Sequence, residues 1–256
     1  MKKLLYILPA TLLLMVSCED IGEDNRYIEV EPIKAERRVL LEEFTGQLCT
    51  NCPDAHAIIE KLEEQYGSDL IVVSIHAGQG NAIAAPAGLM QPVGNEYAAR
   101  WGVSSYPCGV VDRTGGVLSR DAWAAAIRTD MAKETTADIQ VSATQIGDSI
   151  AITSLISSSL PLDASLQLWV TEDSIVAFQI DNGKRVPDYV HNNVFRACVN
   201  GTWGQPIDVA PNVYYTATDT IAIEEDWNPD HLHIVGFIFD DSGVIQADKT
   251  KLTPNP

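Results

Sequence analysis

The stretch Leu41-Glu42-Glu43-Phe44-Thr45-Gly46-Gln47-Leu48-Cys49-Thr50-Asn51-Cys52-Pro53 decides how the rest of the chain is read. Arg38 to Thr45 forms a short apolar strand that ends at Thr45-Gly46. Beyond the cysteines, Ala55, Ile58, Ile59, Leu62 and Tyr66 recur at helical spacing, and Gly67 supplies a stop. The C-x-x-C therefore falls on a strand-to-helix turn, with Cys49 expected at the helix N-terminus. Unpaired backbone N–H groups and the helix dipole stabilise a thiolate at such a place. Leu70 to Ala77 is a continuous apolar run of the kind buried in parallel sheets. Strand, helix and strand make a βαβ unit, and a C-x-x-C beside one reads as a redox dithiol.

Of two other readings of the dithiol, spacing eliminates one and leaves the other weak. Haem attachment needs a histidine directly after the second cysteine, where Pro53 stands. A zinc site needs two further ligands; His56 is near, but no second C-x-x-C or H-x-x-x-H follows. No metal and no cofactor is expected. In the redox reading Cys49 is the nucleophile and Cys52 the resolving thiol. A purely structural Cys49–Cys52 disulfide stays open, although closing so short a loop gains little entropy. Cys108 is either a buried core thiol, a partner of Cys198, or an exchange partner of the dithiol.

The 256 residues are 46% hydrophobic and 20% charged, as in globular chains. Thirty-five acids against seventeen bases give a net charge of −18, which argues against binding to nucleic acid or to anionic lipid through basic patches. At the N-terminus, Lys2 and Lys3 precede the apolar run Leu4 to Val16, which suits a signal peptide over residues 1–17 and is too short to span a bilayer with charged flanks. Met15-Val16-Ser17-Cys18 resembles the lipobox of bacterial lipoproteins, which implies lipidation at Cys18. Residues 18–36 read as an acidic tether, so the membrane is reached through the lipid anchor alone. Export places the remaining cysteines where disulfides persist.

The texture changes near Ala137. Ile139, Val141 and Ala143 alternate, and Ile150 and Ile152 resume the pattern after a turn at Gly147-Asp148. Strands are expected at Leu166 to Thr171, Tyr189 to Val199, Val213 to Ile223, Leu232 to Phe239 and Val244 to Leu252, an all-β pattern of the sandwich type. His191, His231 and His233 have no third ligand at close spacing. Upstream, a helix is expected from Arg120 to Lys133. The long connection from Gly78 to Asn95 is expected to shape a groove beside the dithiol.

Phe44 with the C-x-x-C, followed by Tyr106-Pro107 and Val110-Val111-Asp112, resembles the thioredoxin superfamily. The resemblance implies a cis Pro107 facing Cys49. It also puts Glu43 at the position of the buried acid that accepts the proton of the resolving thiol; from the residues alone, Glu43 is equally a strand-end carboxylate. Cys108 stands where threonine is more usual. The opening stretch, Val72-Val73-Ser74-Ile75-His76-Ala77-Gly78, His191-Asn192-Asn193-Val194-Phe195-Arg196, Thr202-Trp203-Gly204 and Phe237-Ile238-Phe239-Asp240 together resemble the outer-membrane protein 28 family of bacterial lipoproteins. That resemblance implies an outer-membrane, lipid-anchored protein on the periplasmic or cell-surface face. Its expected architecture is an α/β thioredoxin-like domain over residues 37–136 and an all-β, Ig-like sandwich over residues 137–256. The expected function is thiol–disulfide exchange with the thiols and disulfides of envelope or surface proteins. The alternative is a surface-binding or adhesion lipoprotein in which the thioredoxin fold is a scaffold and the disulfide is structural.

Overall fold

A strand with apolar residues at almost every position has to be covered on both faces and paired on both edges. Leu70–His76 is such a strand, buried along its whole length, and the way its needs are met organises the fold. The computed structural model describes residues 36–254; the expected signal peptide, Cys18 and nearly all of the tether lie outside the described residues. In chain order the first half contains β1 (Val39–Thr45), α1 (Cys52–Tyr66), β2 (Leu70–His76), α2 (Pro92–Trp101), β3 (Cys108–Val111), β4 (Thr114–Leu118) and α3 (Trp123–Met131). There follow β5 (Ala137–Ile146), β6 (Ser149–Ser158), β7 (Leu162–Glu172), β8 (Ile175–Asp181), β9 (Lys184–His191) and β10 (Val194–Cys198). The chain ends with β11 (Gln205–Val209), β12 (Tyr215–Ala222), β13 (Leu232–Asp240) and β14 (Gly243–Lys251).

The expected α/β thioredoxin-like domain followed by a separate Ig-like sandwich is not what forms. One mixed sheet of nine strands runs in the order β14-β13-β7-β10-β2-β1-β3-β4, with β11 also paired to β7. One edge of β2 takes β1 in parallel. The other takes β10, with Ser74 aligned to Val194 and the Ser74 N–H donating to the Asn193 carbonyl at 2.8 Å. Strands on both sides of residue 137 thus share one sheet, and the described residues belong to one compact unit. The reason is physical. Periodicity reports which faces of a strand are covered, but it carries no information about which distant strand completes an edge.

Local readings also shift. Tyr189 to Val199 is not one strand: the chain turns at Asn192-Asn193, where Asn193 has φ +56°. α1 begins at Cys52, so Cys49 lies in the preceding turn and not in the helix. Part of the long connection is α2, and α3 follows a single 3-10 turn at Arg120–Ala122.

Register carries two faces across the whole sheet. α1 and α3 pack on the outer face through Ile59, Leu62, Trp123 and Ile127 against Val39, Leu41 and Val72. Further along that face, the three-stranded sheet β12-β6-β5 covers Leu166, Leu168, Ile234 and Ile238. The inner face is lined by Ile71, Val73, Trp169, Phe195 and Phe237, and α2 packs on it through Tyr97 and Ala98. The sheet curls round these rings until β14 meets the β3–β4 turn, where the Val244 N–H donates to the Asp112 carbonyl at 2.7 Å. Arg37 bonds the Asp112 carboxylate at 2.7 Å and the Val244 carbonyl at 2.8 Å.

A buried ion pair reinforces this closure. Arg113 donates to Glu42 at 2.6 Å, both side chains almost fully enclosed, and its guanidinium stacks on Phe237 and Phe239 at 4.6 and 4.5 Å. Removing only the cation strands the Glu42 carboxylate in the interior. Arg113→Met is therefore expected to lower the unfolding free energy by about 3–5 kcal/mol, and the double variant Arg113→Met/Glu42→Gln to recover a large part of it. Urea unfolding curves, expected to show a single cooperative transition for the described unit, check both.

Candidate functional site

β1 and α1 are joined by the turn Gly46-Gln47-Leu48-Cys49-Thr50-Asn51, and the turn is closed by a disulfide between Cys49 and Cys52 with Cα atoms 5.4 Å apart. Cys52 is fully enclosed and Cys49 is 7% exposed, so Cys49 is the less buried of the two. Asn51 caps α1 without a side-chain hydrogen bond, and Pro53 occupies the first turn. The helix therefore points free backbone N–H groups and the positive end of its dipole towards the cysteine turn.

Two remote segments grip the turn. From the long connection, the Asn81 carbonyl accepts from Leu48 N–H at 2.9 Å, and the Asn81 amide donates to the Thr45 and Ala77 carbonyls at 3.1 and 2.9 Å. Gly46 lies so close to Asn81 that a Cβ there would collide with its backbone. From the other side comes the two-stranded ribbon β8–β9. Its buried Gln179 donates to the Gly46 and Cys49 carbonyls at 3.2 and 2.9 Å. The Ile180 N–H donates to the Gln47 carbonyl at 2.8 Å and the Gly183 N–H to the Thr50 hydroxyl at 2.8 Å. The ribbon thus lies across the dithiol as a cover. Gln47 bridges the two grips, accepting from Leu89 N–H and donating to the Phe178 carbonyl.

Glu43 lies fully buried on the outer face of β1 and accepts from the Ser74 hydroxyl at 2.6 Å. Burial pushes its carboxyl up to about 7, against the hydrogen bonds from Ser74 and Thr45 that lower it. His56 of α1 stands 3.4 Å from the other Glu43 oxygen and is bonded to the Thr45 and Tyr189 hydroxyls at 3.0 and 2.7 Å. Burial lowers His56 to about 4, so this contact is made by a neutral imidazole and is not an ion pair.

The Tyr106–Pro107 peptide is cis. Pro107 leads into β3, whose Cys108 pairs with Phe44, so it stands at the same end of the sheet as the cysteine turn. Cys108 and Cys198 are free thiols and are not joined to each other. Burial holds both protonated, Cys108 being pushed up to about 12 with help from the Glu43 charge, so neither competes with Cys49 as a nucleophile. His231 ends a 3-10 turn and only His233 lies on β13, beside Asp173. The residues that sequence reading missed as site members are Asn81, Gln179 and His76, whereas it places His56 beside the dithiol only as a candidate zinc ligand. Each reaches the site from a different element, and no local motif marks it.

The family model for outer membrane protein Omp28 matches residues 94–256. Cys49, Cys52 and Glu43 lie ahead of the matched stretch. Among solved structures, HBP35 of Porphyromonas gingivalis is 17% identical with a TM-score of 0.69, over 85% of this chain and 76% of that one. A protein from Agrobacterium tumefaciens is 15% identical with a TM-score of 0.53, over 84% and 94%. A domain of the outer membrane lipoprotein Omp28 from Porphyromonas gingivalis is 21% identical with a TM-score of 0.35, over 48% and 92%. At these identities the first two show likeness of fold alone. No curated protein matches by sequence.

The cover and the buried acid each generate an expected result. Gln179→Ala removes the amide that ties the ribbon to Gly46 and Cys49, and should speed reduction of the disulfide by dithiothreitol roughly tenfold, the effect of about 1.4 kcal/mol. The rate is read by alkylation of the freed thiols. Glu43 ionises near 4.5 when exposed and near 7 when folded, so its contribution to stability is fully present below about 4.5 and is lost as pH rises through 7. Glu43→Gln should therefore gain on the wild type by on the order of 3 kcal/mol between pH 4.5 and 8, measured as the difference between urea unfolding curves at the two pH values.

Proposed function

The chain belongs to the outer membrane protein Omp28 family, and from that premise we propose that it exchanges thiols and disulfides with envelope proteins through Cys49 and Cys52. It is a lipid-anchored protein of the outer membrane. The observation that carries the exchange reading is the disulfide at the start of α1, with Cys49 the less buried of its two residues. A substrate thiolate attacks Cys49 Sγ, breaking the bond to Cys52 and forming a mixed disulfide. The departing Cys52 thiolate takes a proton from Glu43, whose buried carboxyl is protonated below about pH 7. A second substrate thiolate then attacks the substrate sulfur of the mixed disulfide and releases Cys49 as a thiolate. Two electrons pass from the substrate dithiol to the protein, and the substrate leaves as a disulfide. Run backwards, the same steps reduce a substrate disulfide. Pro107 lies at the end of β3 where a substrate backbone would approach the dithiol.

One observation favours the alternative of a surface-binding lipoprotein with a structural disulfide: the β8–β9 ribbon covers the turn and leaves little of Cys49 open. The two readings differ in redox poise. Equilibrated against glutathione or dithiothreitol buffers, a pair that cycles should have a potential between about −270 and −120 mV, and a structural bond one below about −300 mV. In the exchange reading Cys49→Ser abolishes disulfide exchange with a model dithiol substrate, whereas Cys52→Ser accumulates the mixed disulfide on Cys49. A potential below about −300 mV with no trapped adduct would sink the exchange reading.

A further inference from the structure

Under α1, on the outer face of the sheet, three imidazoles meet that stand far apart in the sequence. His56 comes from α1, His76 from the last position of β2, and His191 from the last position of β9. They line a cavity of about 40 Å³ that Glu60 and Glu63 also border, room enough for a small cation with a water. The ring centroids of His76 and His191 are 5.4 Å apart, and those of His56 and His191 6.4 Å. Two imidazoles on one zinc ion, with Zn–N bonds of about 2.1 Å at tetrahedral angles, hold their centroids about 5–6 Å apart.

No hydrogen bond of good geometry reaches either ring nitrogen of His76 or His191, or one oxygen of Glu43; only the backbone of Ser74 stands near His76, and that of Ala177 and Phe178 near His191. His76 is 2% exposed and His191 3%. Buried polar atoms left unpaired are uncommon in folded proteins, and an ion or water in the adjoining cavity is one way to pair them. Burial lowers His56 and His191 to about 4 and holds His76 well below its ordinary value, so all three rings are neutral, the form that binds metals. His56 adds an orienting contact. One nitrogen faces Thr45 and Glu43, while the other is directed to the Tyr189 hydroxyl. A carboxylate behind an imidazole is the arrangement that fixes a metal-ligating histidine. The acidic residues at the border favour a cation's entry.

We propose that His56, His76 and His191 form a binding site for a divalent transition-metal ion of the zinc type, with water completing the coordination. Among the described residues no group of three His, Cys, Asp or Glu side chains is already set to hold a metal ion. Binding therefore turns the rings of His76 and His191 about their Cβ–Cγ bonds and exchanges the Tyr189 hydroxyl on His56 for the metal. Bound there, the ion ties β9 to α1 and β2.

The test uses the full-length protein in detergent with Cys49–Cys52 oxidised, titrated with Co²⁺ and then with Zn²⁺. The expected result is one equivalent of Co²⁺ with visible ligand-field absorption, no thiolate charge-transfer band, and displacement by one equivalent of Zn²⁺. His76→Ala and His191→Ala should each weaken binding by at least about 10–100-fold, whereas His233→Ala on β13 leaves it unchanged. His191→Gln, closer in volume, serves if the alanine variants do not fold. Absence of the cobalt spectrum in the wild type, a spectrum dominated by thiolate, or a titration unaltered by His191→Ala or His191→Gln would each overturn the proposal.

Discussion

The second edge of β2 is the constraint from which the rest of the structure follows. β2 is buried on both faces, and its edge opposite β1 cannot be left open in the interior without leaving backbone groups unpaired. β10 closes it at Ser74 and Val194. Because β10 is also paired to β7, the closure draws β7, β13 and β14 into the same sheet and carries the inner face round to the β3–β4 turn. The same step sets the chain before β10 against the cysteine turn. With Asn193 bonded to Ser74, the preceding strand must end beside β2, and so His191 arrives next to His76 and Tyr189 next to His56.

The consequence for the dithiol is that its environment is made by the second half of the chain. The turn itself is local: a strand end, a glycine, a helix start. Its enclosure is not, since the amide of Gln179 and the backbone of Ile180 and Gly183 all belong to the β8–β9 ribbon. An exposed dithiol and a covered one differ in the access of a partner sulfur, while the helix terminus acts on both alike. Reactivity at Cys49 is therefore governed by two separable quantities: the electrostatics of α1 and the hold of the ribbon.

The elements that could be read from the sequence are those whose cause is local. The end of α1 follows from Gly67, which takes φ +55°, and β2 follows from an unbroken apolar run. The cysteine turn, and the pairing of its two cysteines, follow from their placement between these elements. The division into two folds failed because strand pairing is a choice among distant edges, and alternation along Val194–Cys198 is the same whichever neighbour it meets. The β8–β9 ribbon escaped notice for a different reason: its exposed valines, Val176 and Val190, interleave with half-buried residues and give no clear apolar face. The histidine cluster had no spacing to recognise, because three elements contribute one ring each.

The pairing of β2 with β10 also bears on how the chain acquires its structure after export. A chain that crosses a membrane from its N-terminus delivers β1, α1 and β2 first, while Val194 follows roughly 120 residues later. Until then the edge of β2 is open, and it is the kind of apolar edge on which other strands add. In that interval the cysteine turn has no ribbon over it. At this stage both thiols are open to whatever thiol oxidant the compartment supplies, whereas completion of the sheet sets the ribbon against the turn. Before and after the sheet closes, the same two cysteines thus meet the surroundings at two different degrees of access.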